Sequence, residues 1–212
     1  MLYGCAEPGT LFPDWGERPV EVEIGPGRGA FALDHAALHP GRTLVAIETR
    51  RVDCELIRGR AEKRGLRNLE VIQGDAKLLL PRMFEAGRLA AAHVQFPDPW
   101  WKTRHHKRRM VDADLAALLR RLLTAGGRVD FRTDVPAYFR EALQTWLEAG
   151  FVQLPDAPPE VLSTRERRYA ITGQPVFRAS FSNPEGGHEG PLRGVVSPAG
   201  RTGRDWRDVR RK

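Results

Sequence analysis

Strand-like and helix-like segments alternate from residue 20 to residue 154 of this 212-residue chain, and that order limits the fold more than any other feature. Repeated strand–helix–strand units call for a mostly parallel sheet with helices on both faces. Val20 to Ile24 reads as the first strand, and Gly25-Pro26-Gly27-Arg28-Gly29 turns from it into a helix. His39-Pro40-Gly41 ends that helix, because proline cannot continue it and glycine tolerates the reversal. Thr43 to Glu48 and Leu69 to Gln73 are the second and third strands, around a helix from Arg51 to Arg64 with Gly65 at its left-handed stop. A helix to about Ala86 follows Gly74-Asp75-Ala76, and the fourth strand ends at Phe96. Asp112 caps a helix with Leu115, Leu118, Leu119, Leu122 and Leu123 on one face, closed by Gly126-Gly127. Arg128 to Arg132 is the fifth strand. A helix from Pro136 to Ala149-Gly150, a sixth strand from Phe151 to Leu154 and a final strand from Val176 to Phe181 complete the pattern. Pro155 to Pro159 is too proline-rich for a central strand.

Ligands of open α/β sheets bind at the carboxyl ends of the strands. The fourth strand opens there into FPDPWWKTRHHKRR, from Phe96 to Arg109. Asp98 sits between two prolines, Trp100 and Trp101 follow, and Lys102, Arg104, Lys107, Arg108 and Arg109 supply positive charge beside His105 and His106. A solvated basic loop with a Pro-Trp turn would use the same residues; the acid and aromatics at a strand end favour a binding site. The net charge of +7 favours a polyanionic partner such as nucleic acid. Against a membrane partner, the chain has no basic amphipathic helix and no apolar run of about 20 residues. Glu7, Pro8 and Pro13 argue against a signal peptide. Cys5 and Cys54 are too few for a disulfide framework or a cysteine-based metal site, so a reducing, cytoplasmic setting and no metal are expected. From residue 183 to 212 glycines and arginines dominate, and that stretch reads as a flexible basic tail after a domain spanning 1–182.

Glu23-Ile24-Gly25-Pro26-Gly27-Arg28-Gly29 fits E-x-G-x-G-x-G, a turn many methyltransferases use for S-adenosylmethionine. Gly25, Gly27 and Ala30 also satisfy the dinucleotide pattern, and Glu48 suits the ribose hydroxyls of either cofactor. Charge separates the two. A pyrophosphate would meet Glu23 across the turn, whereas S-adenosylmethionine brings cationic sulfonium and ammonium groups and no phosphate. Asp75 and the Ala76 N–H suit an adenine edge. Glu23, Glu48, Asp75 and Asp98 thus end four successive strands, and S-adenosyl-L-methionine is the cofactor this favours.

With those residues in view, the chain resembles the tRNA (guanine-N7-)-methyltransferases of the bacterial type from about Leu11 to Phe181. FPDPWWKTRHHKRR carries most of the resemblance, supported by Glu23-Ile24-Gly25, Glu48, Gly74-Asp75-Ala76, Thr133-Asp134 and Ser163 to Arg168. The resemblance implies a doubly wound, Rossmann-like class I methyltransferase fold, seven-stranded with one antiparallel strand. It also implies methylation of a guanine in the tRNA variable loop. By the same resemblance Glu23, Glu48, Asp75 and Asp98 hold the cofactor, with Asp98 also catalytic; Gly25, Gly27, Gly29 and Ala76 join that site on the reading of the turn and the helix start given above. Lys102 and Asp134 match substrate positions, and the family's T-x-x-E segment falls on Ser163, Thr164 and Glu166, with Arg168 after it. Ser163 stands where the family has threonine, so the register there is open by one. A monomer or homodimer is compatible with all of this.

Guanine N7 has an exposed lone pair, so in-line displacement without an obligatory general base is the expected chemistry. A nicotinamide-dependent oxidoreductase, a non-catalytic RNA-binding protein, and a methyltransferase acting on another RNA or on protein stay open at this point.

Overall fold

The computed structural model describes residues 18–101, 104 and 108–185, and Lys102, His105, His106, Lys107 and the tail beyond Glu185 lie outside them. Seven strands form one sheet: β1 (Val20–Ile24), β2 (Thr43–Glu48), β3 (Leu69–Gln73), β4 (Leu89–Gln95), β5 (Leu123–Thr133), β6 (Val152–Gln153) and β7 (Phe177–Ser182). Their order is β3-β2-β1-β4-β5-β7-β6, with β7 antiparallel to both its neighbours and the pairs among β1 to β5 parallel. The helices are α1 (Ala30–Leu38), α2 (Arg51–Lys63), α3 (Ala76–Met83), α4 (Ala113–Leu122), α5 (Pro136–Glu148) and α6 (Thr164–Thr172).

Side chains alternate between faces along a strand, and here the alternation divides chemistry. Val20, Val22 and Ile24 of β1, Ala92 and Val94 of β4, Val129 and Phe131 of β5, and Ala179 and Phe181 of β7 join one apolar core. Leu80 of α3, Leu115 and Leu119 of α4, and Tyr138 and Trp146 of α5 close over it. Burying such side chains contributes about 1.5–3 kcal/mol each. A second, smaller core packs α1 and α2 on β2 and β3 through Leu33, Leu44, Cys54, Ile57 and Val71. On that side of the central strands the residues are polar. Glu23, His93, Asp130 and Ser180 stand in register across β1, β4, β5 and β7.

Three boundaries differ from the sequence reading. Gly126-Gly127 does not close α4; β5 begins at Leu123, and the register with β4 shifts between Leu89 and Ala91 to absorb the glycines, Gly126 having φ +75°. That is a bulge, the second use of glycine after a helix. α6 was not expected as a helix, although Ser163 and Glu166 form a reciprocal capping box at its start. Asn183 belongs to the domain: it is fully buried, and its Nδ2 donates to the carbonyls of Arg120, Leu123 and Thr124.

The sheet order reverses between β1 and β4, which puts the ligand crevice at their carboxyl ends. Gly29, at φ +75°, begins α1 there, and a Cβ on it would lie 2.5 Å from Ile57 Cγ1. Gly29→Ala is expected to cost roughly 2–4 kcal/mol, from overpacking and a left-handed alanine together, measured by urea unfolding.

Candidate active site

A cleft of about 260 Å³ occupies the crevice, walled by Glu23, Gly25, Gly27, Phe31, Gln95 and Phe96 and by Ser163 to Arg165 of the α6 start. Gly25 (φ +72°) and Gly27 (φ +56°) have nothing within 4 Å of where a Cβ would stand, so the backbone is open to close approach. Glu23 is 2 % exposed, and its Oε2 has no hydrogen-bond partner; neither does either end of the Gln95 side-chain amide. Buried polar atoms without partners are costly, and three of them facing one cleft suit a ligand that supplies the missing bonds. Burial raises the Glu23 carboxyl to about 8, with the Glu48 charge adding to the rise and His93 and Arg132 opposing it.

Glu48, at the end of β2, ties the glycine turn down. Gly27 N–H donates to its Oε2 at 3.0 Å, while Arg50 N–H (2.9 Å) and the Thr49 hydroxyl (3.0 Å) donate to Oε1. Asp75 follows β3 and caps α3, accepting from Lys77 N–H at 2.9 Å; it is exposed, and Ala76 beside it is buried. Asp98 is exposed in the loop after β4. The four acids thus end β1 to β4 on one edge; Glu23 lines the cleft, Glu48 is bonded to Gly27 of its wall, and Asp75 and Asp98 lie outside its lining.

The loop carrying Asp98 is bracketed by strain. Phe96 (φ +49°) and Trp100 (φ +45°) both hold left-handed backbone, which costs non-glycine residues about 1–3 kcal/mol each and persists only where the surroundings enforce it. Phe96 N–H donates to Arg132 O at 2.7 Å. Arg109, read from sequence as a phosphate contact, is buried: its Nε donates to Pro99 O at 2.8 Å, Nη1 pairs with Glu141, and the guanidinium lies 4.9 Å from the Tyr138 ring. It tethers the loop from beneath. Trp100 is half-buried under the Arg108 guanidinium at 5.2 Å, whereas Trp101 is 74 % exposed, as are Arg104 and Arg108 to a large degree.

α6 forms the far wall. Asp134, after β5, accepts from Tyr169 Oη at 2.6 Å and pairs with Arg165 at 3.6 Å, and Arg165 lies 5.1 Å from the Phe96 ring. Ser163, Thr164 and Arg168 are partly or fully exposed. Glu166 is not: its Oε2 accepts from Ser163 N–H (2.9 Å) and Arg132 Nη1 (2.8 Å), and its Oε1 from Arg178 Nε (2.8 Å). Burial works to raise this carboxyl, but those three donors hold it below the usual range. The sequence reading made Glu166 a substrate contact; its donors instead make it the anchor of the wall.

Residues 17–179 match a family model described as "Putative methyltransferase". A tRNA (guanine-N(7)-)-methyltransferase from Anaeromyxobacter dehalogenans is 50 % identical over 79 % of this chain and 90 % of its own length. The protein of the same name from Myxococcus xanthus is 44 % identical, over 81 % and 89 %. This chain belongs to the tRNA (guanine-N7-)-methyltransferase family. Its fold is that of the class I methyltransferases: 16S rRNA methyltransferase KamB superposes with a TM-score of 0.61 at 17 % identity, covering 84 % of this chain and 93 % of that one. The aminoglycoside resistance methyltransferase NpmB1 gives 0.55 at 20 % identity, over 78 % and 87 %. Membership in a methyltransferase family removes the nicotinamide reading of the glycine turn.

Gln95, Phe31 and Arg132 escaped the sequence reading, since nothing in their local spacing marks them. Glu21 and His93 did as well, though the alternation Val20-Glu21-Val22-Glu23 puts two acids on one face of β1. His93 lies 3.1 Å from Glu21 and 3.2 Å from Asp130; although burial opposes it, those carboxylates raise the imidazole to about 9. Glu23 and His93 both hold their protons more tightly folded than unfolded, Glu23 between 4.5 and about 8 and His93 between 6.5 and about 9. Their contribution is complete at low pH and lost as pH rises through the folded values. The melting temperature of the ligand-free chain should therefore fall from pH 6.5 to 9, and fall less steeply in Glu23→Gln; parallel profiles would contradict the assignment to Glu23.

Proposed function

We propose that this chain transfers the methyl group of S-adenosylmethionine to N7 of a guanine in the variable loop of tRNA. One observation carries the reading: the unpartnered Glu23 Oε2 and Gln95 side-chain amide face an open glycine turn, immediately beside the strained loop that presents Asp98. A cationic ligand with hydrogen-bond donors suits that cleft, and a pyrophosphate does not. Glu23 takes the cationic end of the cofactor. Glu48 already accepts three donors, and a carboxylate has about four lone-pair sites, so one is left for a ribose hydroxyl. Asp75 and the Ala76 N–H, an orphan donor of the α3 terminus, take the adenine edge.

When bound, the cofactor supplies a methyl carbon on a cationic sulfur. Guanine N7 would form the new bond to that carbon with a lone pair it already exposes while the carbon–sulfur bond breaks and its electron pair stays on sulfur, so the protein has no proton to remove. What the chain contributes is position and charge. Asp98 orients the base through its N–H groups or stabilises the positive charge that develops on it, and Arg109 with the Phe96 and Trp100 backbone holds Asp98 in place. The exposed Trp101 face suits stacking on a base drawn from the tRNA core. Arg104, Arg108 and Arg168, with Lys102 and Lys107 outside the described residues, contact phosphates; Asp134, Ser163 and Thr164 contact the RNA from the α6 wall, which Glu166 positions.

The deciding experiment supplies labelled S-adenosylmethionine and unmodified tRNA, then maps the methyl group by base-specific chain cleavage; incorporation elsewhere than guanine N7 refutes the reading. Asp98→Ala should reduce turnover by about 10²-fold or more at unchanged melting temperature. Arg108→Ala should raise the KM for tRNA, leave cofactor affinity unchanged, and lower the salt slope of RNA binding by about one. Equal loss of cofactor and RNA affinity would place Arg108 elsewhere.

A further inference from the structure

The polar face of the sheet holds a second and larger cavity, of about 490 Å³, separated from the cofactor cleft by Phe31, which lines both. Glu21, His35 and His93 project into it from β1, α1 and β4, all buried. His35 Nε2 is 2.5 Å and His93 Nε2 3.1 Å from the same oxygen, Glu21 Oε2, and the three atoms lie within 4.8 Å of one another. We propose that Glu21, His35 and His93 form a binding site for one divalent cation of zinc type.

Two imidazoles and a carboxylate are the donor set that such borderline cations take, and here each donor comes from a different rigid element. The surroundings orient the donors. Asp130 Oδ2 stands 3.2 Å from His93 Nδ1, so a cation that displaces the Nε2 proton leaves the other ring proton on Nδ1, on the side of Asp130. Asp130 is itself fixed by Ser180 at 2.5 Å and Arg128 at 2.7 Å. Arg42 holds the other Glu21 oxygen, Oε1, at 2.6 Å, so Oε2 is the one presented. Bonds of about 2.0–2.2 Å in a tetrahedral site separate ligand atoms by about 3.3 Å, so the Glu21 oxygen has to move from His35 by less than about 1 Å. The cavity provides entry and room for a water as fourth ligand.

This departs from the expectation of no metal, which rested on the cysteine count. Ligands 14 and 58 residues apart, with no recognisable spacing, give no motif to read. The site is independent of the methyl-transfer reading, which uses neither these side chains nor this cavity.

The test strips the full-length chain with chelator and titrates it with Zn²⁺ by calorimetry and with Co²⁺ by visible absorption. The expected result is one equivalent bound, Co²⁺ bands of a four- or five-coordinate nitrogen and oxygen site, and a melting temperature raised by Zn²⁺. Glu21→Gln and His35→Gln should each abolish saturable binding, and Asp130→Asn, which keeps every ligand, should weaken it by about 10–100-fold. His105→Ala/His106→Ala should keep the single equivalent. No saturable binding, binding that survives Glu21→Gln, or binding lost only in the His105/His106 variant overturns the proposal. Should His35→Gln fail to fold, Asp130→Asn and the Zn²⁺ shift of the Glu21→Gln melting temperature still decide.

Discussion

A charge placed on the buried face of a parallel sheet has to be answered inside the protein or by a ligand, because leaving it alone costs several kcal/mol. The centre of this sheet puts Glu21, Glu23, His93, Asp130, Arg132 and Arg178 on one face, and the rest of the molecule is arranged around their partners. Arg132 and Arg178 converge on Glu166, which brings α6 down as the wall of the crevice. Arg42 and two histidines converge on Glu21. Glu23 and Gln95, which line the cofactor cleft, keep unanswered atoms. The opposite face, apolar at its centre under α3 to α5, provides the stability against which that arrangement is held.

The loop after β4 follows the same division between groups that hold and groups that act. Arg109 and the half-buried Trp100 belong to the scaffold, through Pro99, Glu141, Tyr138 and Arg108. Asp98, Trp101, Arg104 and Arg108 face outward. Left-handed backbone at Phe96 and Trp100 is tolerated because β5 and α5 grip the loop on both sides, and it presents the acid between two prolines at a defined place. A basic run therefore has two energetic parts: a guanidinium buried against a carbonyl and an aromatic ring, and exposed cations that a polyanion can reach.

Much of this was legible in the residues. Strand-like runs bounded by glycine and proline turns located β1 to β4, and Asp112 capped α4 as its position before the leucine stripe required, accepting from Leu115 N–H. Gly65 took its left-handed stop. The four strand-end acids fell on one edge. Gly126-Gly127 misled because glycine serves both helix ends and bulges, and only the pairing of β5 with β4 distinguishes them. α6 was missed since its residues are polar on most sides and its stabilisation is tertiary, through Glu166.

By itself, the sequence determined the alternation of elements, the caps and turns that bound them, and the strand-end motifs that mark the family, because each depends on residues within a few positions of one another. Tertiary structure alone decided which polar side chains meet. Sheet order and register bring Glu21 to His93 across 72 positions and Arg132 to Glu166 across 34. Whether a charge is buried with a partner, buried without one, or left in water is a property of that meeting, and it separates Arg109 from Arg108 and Glu23 from Glu48 where residue type cannot.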